Sequence, residues 1–111
     1  MQQVVDLEGS PEFQGLGIAL LSVTTNPAQD LAAAQQQWRV EAPLLSDQGA
    51  RVSGSYGVLR WAMPSGAPGH TFVLVGMDGR VRWVQDYGAP ENGGRMNVPV
   101  AELYRELKGK L

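Results

Sequence analysis

The 111-residue sequence contains no cysteine and only one histidine, His70. The lack of cysteine excludes disulfides, thiolate nucleophiles, zinc–thiolate sites and iron–sulfur clusters within the chain. One imidazole cannot form a multi-histidine metal site, and a serine hydrolase would depend on His70 alone. We therefore expect no resident metal and no cofactor.

The sequence also lacks a long hydrophobic run and a basic cluster. Its longest apolar stretch, residues 16–23, is far shorter than the roughly 20 residues that span a bilayer. The first residues have neither the positive start nor the apolar core of a secretion signal. Lys and Arg number 9 against 11 Asp and Glu. Because nucleic-acid binding depends on phosphate neutralisation, we expect no nucleic-acid partner, no membrane partner, and a soluble, cytoplasmic protein.

What is present is the composition of one globular domain, which we place over residues 1–111. Hydrophobic residues make up 43% and charged residues 18% of the chain, a balance typical of a folded protein. Strand-like and helix-like segments alternate, and the chain ends in a hairpin and a helix, which predicts an α/β fold. The predicted helices lie at 2–7, from 26, at 50–56 and from 99; the predicted strands lie at 17–24, 42–45, 71–75 and 81–87.

The first half is predicted from apolar patterning and from caps. Residues 17–24 are apolar without alternation, which predicts a central strand covered on both faces. Asn26 suits the N-cap of the following helix, and Pro27 suits its first turn. Leu31 and Trp38 fall on one apolar stripe, so we expect Trp38 in the core.

The second half contains a hairpin and a capped helix. Asp78 and Gly79 predict the hairpin turn, and Asp47, in another turn, is likewise expected to bond its local backbone rather than act as a catalytic acid. Trp83 and Tyr87 on the returning strand are expected to pack across the sheet, and one face of this strand is expected to be partly solvated. The apolar face of the last helix consists of Val100, Leu103, Tyr104 and Leu107.

In their order and spacing these segments resemble the thioredoxin-like fold, in its redoxin and peroxiredoxin-like (AhpC/TSA) branch. The resemblance covers nearly the whole chain and is carried by residues 18–27, 43–47, 55–58, 71–75, 78–83 and 98–107. It implies a three-layer α/β/α sandwich that is incomplete at its N-terminus. The first central strand and the redox-cysteine segment of the family would precede Met1.

The resemblance implies that the parent protein is a thiol–disulfide oxidoreductase or thiol peroxidase acting in redox homeostasis. Without a thiolate, the chain by itself is predicted to be inactive in that chemistry. The alternative is a non-catalytic thioredoxin-like module that binds a protein partner. A hydrolase that uses His70 is a poor third reading, because no Gly-x-Ser-x-Gly elbow is present.

The same resemblance places the loop before residue 71 near the family's active site. The residues expected to lie near that site are Trp61, Met63, Pro68, Gly69 and His70. Gly69 stands where thioredoxins have a cis-proline and peroxiredoxins an arginine, with Pro68 one residue early. Two alternatives stay open: Trp61 and Met63 cover an edge of the core, and His70 is structural.

If the family's first central strand is missing, the two strands beside it lack a partner. In the family it lies between the strands at 17–24 and 71–75, and its loss would leave their edges without partners. We expect these two strands to pair directly, or the exposed edges to bind a protein partner or a second copy of the chain.

Overall fold

The computed structural model describes residues 1–111 and divides the chain into two compact units, Met1–Gly57 and Val58–Leu111. The helices are α1 (Gln2–Glu8), α2 (Pro11–Gln14), α3 (Ala28–Trp38), α4 (Arg51–Ser55) and α5 (Val100–Lys108). The strands are β1 (Ser22–Thr24), β2 (Leu44–Ser46), β3 (Thr71–Val75) and β4 (Val81–Asp86), and short 3₁₀ turns cover Gln48–Ala50, Leu59–Trp61 and Pro90–Asn92. The single domain over residues 1–111 stays a prediction.

The strands form two two-stranded sheets. In one sheet β1 pairs with β2 in parallel, and in the other β3 pairs with β4 antiparallel. Of the two alternatives for the strands at 17–24 and 71–75, their direct pairing is therefore not found, and association through exposed edges stays a prediction. The helices are all too short or too polar to cross a bilayer.

The chain begins with two short helices, of which only the first was predicted. The Ser10 hydroxyl accepts a hydrogen bond from the Phe13 N–H at 3.1 Å, and Pro11 occupies the first turn, so α2 has a complete N-cap. Leu7 and Phe13 are both buried.

Strand β1 is much shorter than the predicted run and is not central. Only Ser22, Val23 and Thr24 pair with β2, and Val23 is 42% exposed. The parallel ladder stops at Ser22, whose N–H donates to the carbonyl of Pro43, because Pro43 has no N–H with which to continue it. The apolar run therefore pairs as a strand only where the partner segment has N–H groups to donate.

Helix α3 forms as predicted, with two corrections at its ends. Pro27, not Asn26, is the N-cap residue, and the Asn26 Oδ1 accepts from the Thr24 hydroxyl at 2.6 Å. Trp38 is 41% exposed, so the prediction that it lies in the core is wrong. The helix ends at Trp38, and the next residue, Arg39, adopts a left-handed conformation with φ of 55°. Of Leu31 and Trp38 on the predicted stripe, only Leu31 is buried.

Asp47 stabilises the start of α4, as predicted. Its buried carboxylate accepts from the N–H groups of Val52 and Ser53 at 3.0 and 2.8 Å, and from the Ser53 hydroxyl. These bonds hold the pKa of Asp47 below its ordinary value, the Ser53 N–H contributing most. The carboxylate is therefore a helix-capping group and not an acid catalyst.

The predicted hairpin is confirmed in the second unit. Asp78 accepts from the Arg80 N–H at 3.0 Å in the turn, and Trp83 lies opposite Leu74 in the register. The Tyr87 ring packs edge-on against Phe72, with centroids 5.8 Å apart. Both cross-strand predictions therefore hold.

Helix α5 follows the buried Val98 and begins after Pro99, as the sequence predicts. Leu103 and Leu107 are buried on one face, separated by one turn. Arg95 forms an ion pair with Glu102 of α5, in which the guanidinium donates two hydrogen bonds to the carboxylate, at 2.8 and 2.9 Å. The ion pair connects α5 to the loop after β4.

Candidate functional site

A cavity of about 320 Å³ lies in the second unit, between two loops that flank the hairpin. The loop before β3 contributes Arg60, Trp61, Ala62, Met63, Pro64 and Gly69. The segment after β4 contributes Gly88, Ala89, Pro90, Glu91 and Met96. The structure thus gathers three of the five predicted site residues, Trp61, Met63 and Gly69, around one cavity.

Trp61 is held in the cavity wall by its neighbours. Its backbone N–H donates to the Val58 carbonyl at 3.1 Å, which closes the 3₁₀ turn. The Arg60 guanidinium lies 4.0 Å from the centre of the indole ring, a favourable cation–π arrangement. The indole is therefore positioned by a backbone turn and a cation at the same time.

Met63 reaches the cavity from a small closed loop. The Met63 N–H donates to the Ala67 carbonyl, and the Gly66 N–H donates back to the Met63 carbonyl, both at 2.8 Å. Residues 63–67 therefore form a tight turn. Pro68 follows this turn and does not line the cavity.

Gly69 is a point of close approach within the loop before β3. A Cβ atom at this position would lie 2.6 Å from the Trp61 carbonyl oxygen and 3.7 Å from the Asp86 Oδ1. No side chain fits there without movement of the Trp61 backbone. Neither the proline nor the arginine that the family resemblance places at this position would be accommodated in this conformation.

His70 lies directly behind the cavity wall and does not line the cavity. A Cβ at Gly88 would come within 2.8 Å of the His70 N and 3.0 Å of its Cβ, so the two backbones are in contact. The imidazole packs edge-on against Phe72, with centroids 5.2 Å apart. Burial lowers the pKa of His70, and the nearby Asp86 carboxylate opposes this effect only partly. His70 is therefore predominantly neutral at pH 7.

Asp86 organises the segment after β4. Its carboxylate, only 1% exposed, accepts from the Thr71 hydroxyl at 2.6 Å, the Ala89 N–H at 2.9 Å and the Asn92 amide at 2.9 Å. The charge is buried because three donors from β3 and the following turn surround it.

These bonds also set the ionisation of Asp86. Burial by itself would raise its pKa, but the hydrogen bonds from Asn92, Thr71 and Ala89 outweigh that effect and lower the pKa. The group is ionised at neutral pH. It supports the cavity wall through Ala89 and does not itself line the cavity.

The lining is suited to binding rather than to nucleophilic attack. It combines an indole, two thioethers and small apolar groups with one cation, Arg60, and one anion, Glu91. No group of three or more His, Asp or Glu side chains is placed to hold a metal ion. The cavity can hold a small, largely apolar molecule but supplies no thiolate to react with it.

Sequence reasoning missed several of the residues that shape this site. Asp86 is the last residue of β4, and Gly88 and Met96 come from the segment after it, which the sequence showed only as a strand end and a flexible loop. An Asp followed within six residues by Gly-Ala-Pro and Asn is a signal for side-chain bonds to a turn, and that signal was available.

Solved structures similar to the chain define its fold. Mycobacterium tuberculosis AhpC matches with a TM-score of 0.69 and 20% identity, over 97% of this chain and 59% of that chain. Mycobacterium bovis AhpC matches with a TM-score of 0.68 and 21% identity, over 97% of this chain and 62% of that one. The chain therefore has the thioredoxin-like α/β fold, as predicted, and spans about three fifths of the length of these proteins.

The sequence comparison gives the family. The model of the AhpC/TSA family matches residues 2–84, from α1 into β4. The chain belongs to the AhpC/TSA family, which confirms the resemblance drawn from its segments. None of the curated proteins matches the chain.

Proposed function

We propose that the chain forms the binding side of a thiol peroxidase-like or thiol–disulfide oxidoreductase site whose thiolate lies outside these 111 residues. The observation that carries the proposal is the cavity itself. Three residues expected near the family's active site, Trp61, Met63 and Gly69, line it together. Membership of the AhpC/TSA family supports the class of chemistry.

In this proposal the residues of the chain bind and orient, and they do not react. A thiolate supplied from outside would attack a peroxide or a disulfide, with a second thiol resolving the product. The side chains of Trp61 and Met96 would contact the organic part of the substrate. Neutral His70, behind Gly88, adds no charge to the cavity wall.

The test begins with the intact mass of the protein in its source cells. A mass well above 12.0 kDa, with a cysteine-bearing peptide just before Met1, supports the proposal. The long form should then consume hydroperoxide or reduce a disulfide in the presence of a thiol reductant. Its Cys→Ser variant and the 111-residue chain should not. A long form that contains cysteine and is inactive in both assays would overturn the proposal.

A second candidate function is a non-catalytic module that binds a protein. The observation in its favour is the exposed apolar surface of the first unit, where Leu21, Val23 and Leu45 are 56%, 42% and 43% exposed. Val23 and Leu45 are register partners in the β1–β2 ladder, so their side chains lie side by side. A native mass of 12.0 kDa would favour this module over the enzyme.

Under this second function we expect the exposed strands to associate with a second copy of the chain. Sedimentation velocity over a range of concentrations measures this directly. Leu45→Lys should shift the equilibrium towards monomer, because it places a charge on the apolar surface, whereas Met77→Lys, a similar change at the hairpin turn, should not. A monomer at every concentration would contradict the expectation.

A further inference from the structure

Two of the four methionines of the chain, Met63 and Met96, line the same cavity. They come from different loops, one before β3 and one after β4. The two residues are 45% and 53% exposed, so small molecules can reach both of them. Because the chain contains no cysteine, its methionines are its only sulfur atoms.

The surroundings of these sulfurs favour an organic molecule over a very small polar one. The lining includes the Trp61 indole, fixed under Arg60, and the small residues Gly88 and Ala89. The Met96 sulfur lies close to Gly88, 3.2 Å from the point where a Cβ would stand. A volume of about 320 Å³ is at the lower end of the range for small-molecule sites.

We infer that Met63 and Met96 are a peroxide-oxidisable pair that reacts with organic hydroperoxides bound against Trp61. A lone pair of the thioether sulfur attacks the terminal oxygen of the hydroperoxide, the O–O bond breaks and an S–O bond forms. The hydroperoxide proton passes to the leaving alkoxide, which becomes the alcohol. The sulfur is oxidised by two electrons to the sulfoxide, and the hydroperoxide is reduced by two.

The consequence is a change in the character of the cavity. A sulfoxide is polar and chiral where the thioether is apolar and flexible. Oxidation of either residue would place a strong hydrogen-bond acceptor beside Trp61 and weaken the binding of apolar molecules. The inference rests on the proposed function only for the choice of a hydroperoxide as the molecule that the cavity meets in the cell.

Met77 provides an internal standard. It lies in the hairpin turn outside the cavity and is fully exposed, at 106%. If access to solvent alone set the rate of oxidation, Met77 would react before Met63 and Met96. If binding in the cavity sets the rate, the order is reversed for an oxidant that the cavity holds.

The experiment oxidises the 111-residue chain with cumene hydroperoxide and, separately, with hydrogen peroxide, and follows each methionine by peptide mass spectrometry. With cumene hydroperoxide we expect Met63 and Met96 to be oxidised about threefold or more faster than Met77, because binding raises the local concentration of the oxidant. With hydrogen peroxide, which is too small to be held, Met77 should react at least as fast. Faster oxidation of Met77 with both oxidants would overturn the inference.

Two controls link the order of oxidation to the cavity. In a strong denaturant the preference for Met63 and Met96 should disappear. In the Trp61→Leu variant the rate of oxidation of Met63 and Met96 relative to Met77 should fall, while the rate at Met77 itself is unchanged. If this folded variant keeps the preference, binding against the indole is excluded. If the variant does not fold, the comparison of the two oxidants on the unaltered chain decides. The chain holds no thiol, so the result is independent of whether the long form is a thiol peroxidase.

Discussion

The buried carboxylate of Asp86 joins three segments through side-chain bonds. It accepts from Thr71 on β3 and from Ala89 and Asn92 after β4. A cluster of this kind is costly to disrupt, because each donor left behind is buried without a partner. The cavity wall therefore depends on one side chain that does not line the cavity.

Asp86→Ala should lower the free energy of unfolding by about 1–3 kcal/mol, the usual cost of leaving buried donors unsatisfied. Urea denaturation at pH 7, followed by circular dichroism, measures the change. Asp78→Asn is the matched control, because Asp78 bonds only within an exposed turn. A loss for Asp86→Ala no greater than that of the control would contradict the role assigned to Asp86.

The Asp86 carboxylate should make the free energy of unfolding depend on pH in the acid range. Its pKa is lower in the folded chain than the ordinary value of about 3.9, so its contribution is complete above that value. The contribution is lost as the pH falls through the lower, folded pKa. The difference in unfolding free energy between the unaltered chain and Asp86→Asn should therefore shrink on acidification below about pH 4.

His70, the only histidine, can be titrated by proton NMR without ambiguity. We expect a pKa below the ordinary value of about 6.5, because burial disfavours the charged imidazole. Asp86→Asn should lower this pKa further, since it removes a nearby negative charge, and Asp78→Asn should leave it unchanged. A pKa above 6.5 in the folded chain would show that His70 is not desolvated as the structure describes.

Helix α5 packs onto the rest of the second unit through one apolar face. Leu103 is completely buried, at 0% exposure, and Leu107 follows one turn later. Leu103→Ala should cost about 2–5 kcal/mol, the range for truncating a buried leucine. Glu106→Ala, on the exposed side of the same helix, should cost far less. Thermal denaturation of the two variants compares them, and equal losses would contradict the packing.

How well each element could be predicted depends on how local its causes are. The hairpin and α5 follow from adjacent residues: the Asp78–Gly79 turn and a period of three to four in apolar residues. The length of β1 does not, because it is limited by a proline on the partner strand. Trp38 falls on the apolar stripe of α3 yet is exposed, which the spacing alone does not reveal. The burial of Asp86 depends partly on Thr71, which lies 15 residues earlier in the chain.

The candidate site likewise has one part that could be predicted from the sequence and one part that could not be fully predicted. The loop before β3 could be predicted from the resemblance, and it does line a cavity with Trp61, Met63 and Gly69. The opposite wall could be predicted only in part, because the bonds of Asp86 to Ala89 and Asn92 are local, whereas the contact of Gly88 with His70 depends on the tertiary fold. No periodicity in the sequence encodes that contact.

For the whole molecule, the single domain predicted over residues 1–111 can be tested by the cooperativity of unfolding. Trp38 reports on the first compact unit, and Trp61 and Trp83 report on the second. We expect tryptophan fluorescence of Trp38→Phe and of the double variant Trp61→Phe/Trp83→Phe to give coincident urea transitions, because one domain unfolds as a whole. Circular dichroism of both variants provides the reference, and separate midpoints would show two independently unfolding units.

The bonds of Asp86 also have a consequence for amide hydrogen exchange. The segment after β4 has the irregular backbone of a surface loop, and such loops usually exchange within the fastest class of amides. The Ala89 N–H, however, is bonded to a buried carboxylate that also accepts from Thr71 on β3. We therefore expect this amide to exchange with deuterium as slowly as the amides of the hairpin. A rate typical of an exposed loop would show that the cavity wall opens independently of the hairpin.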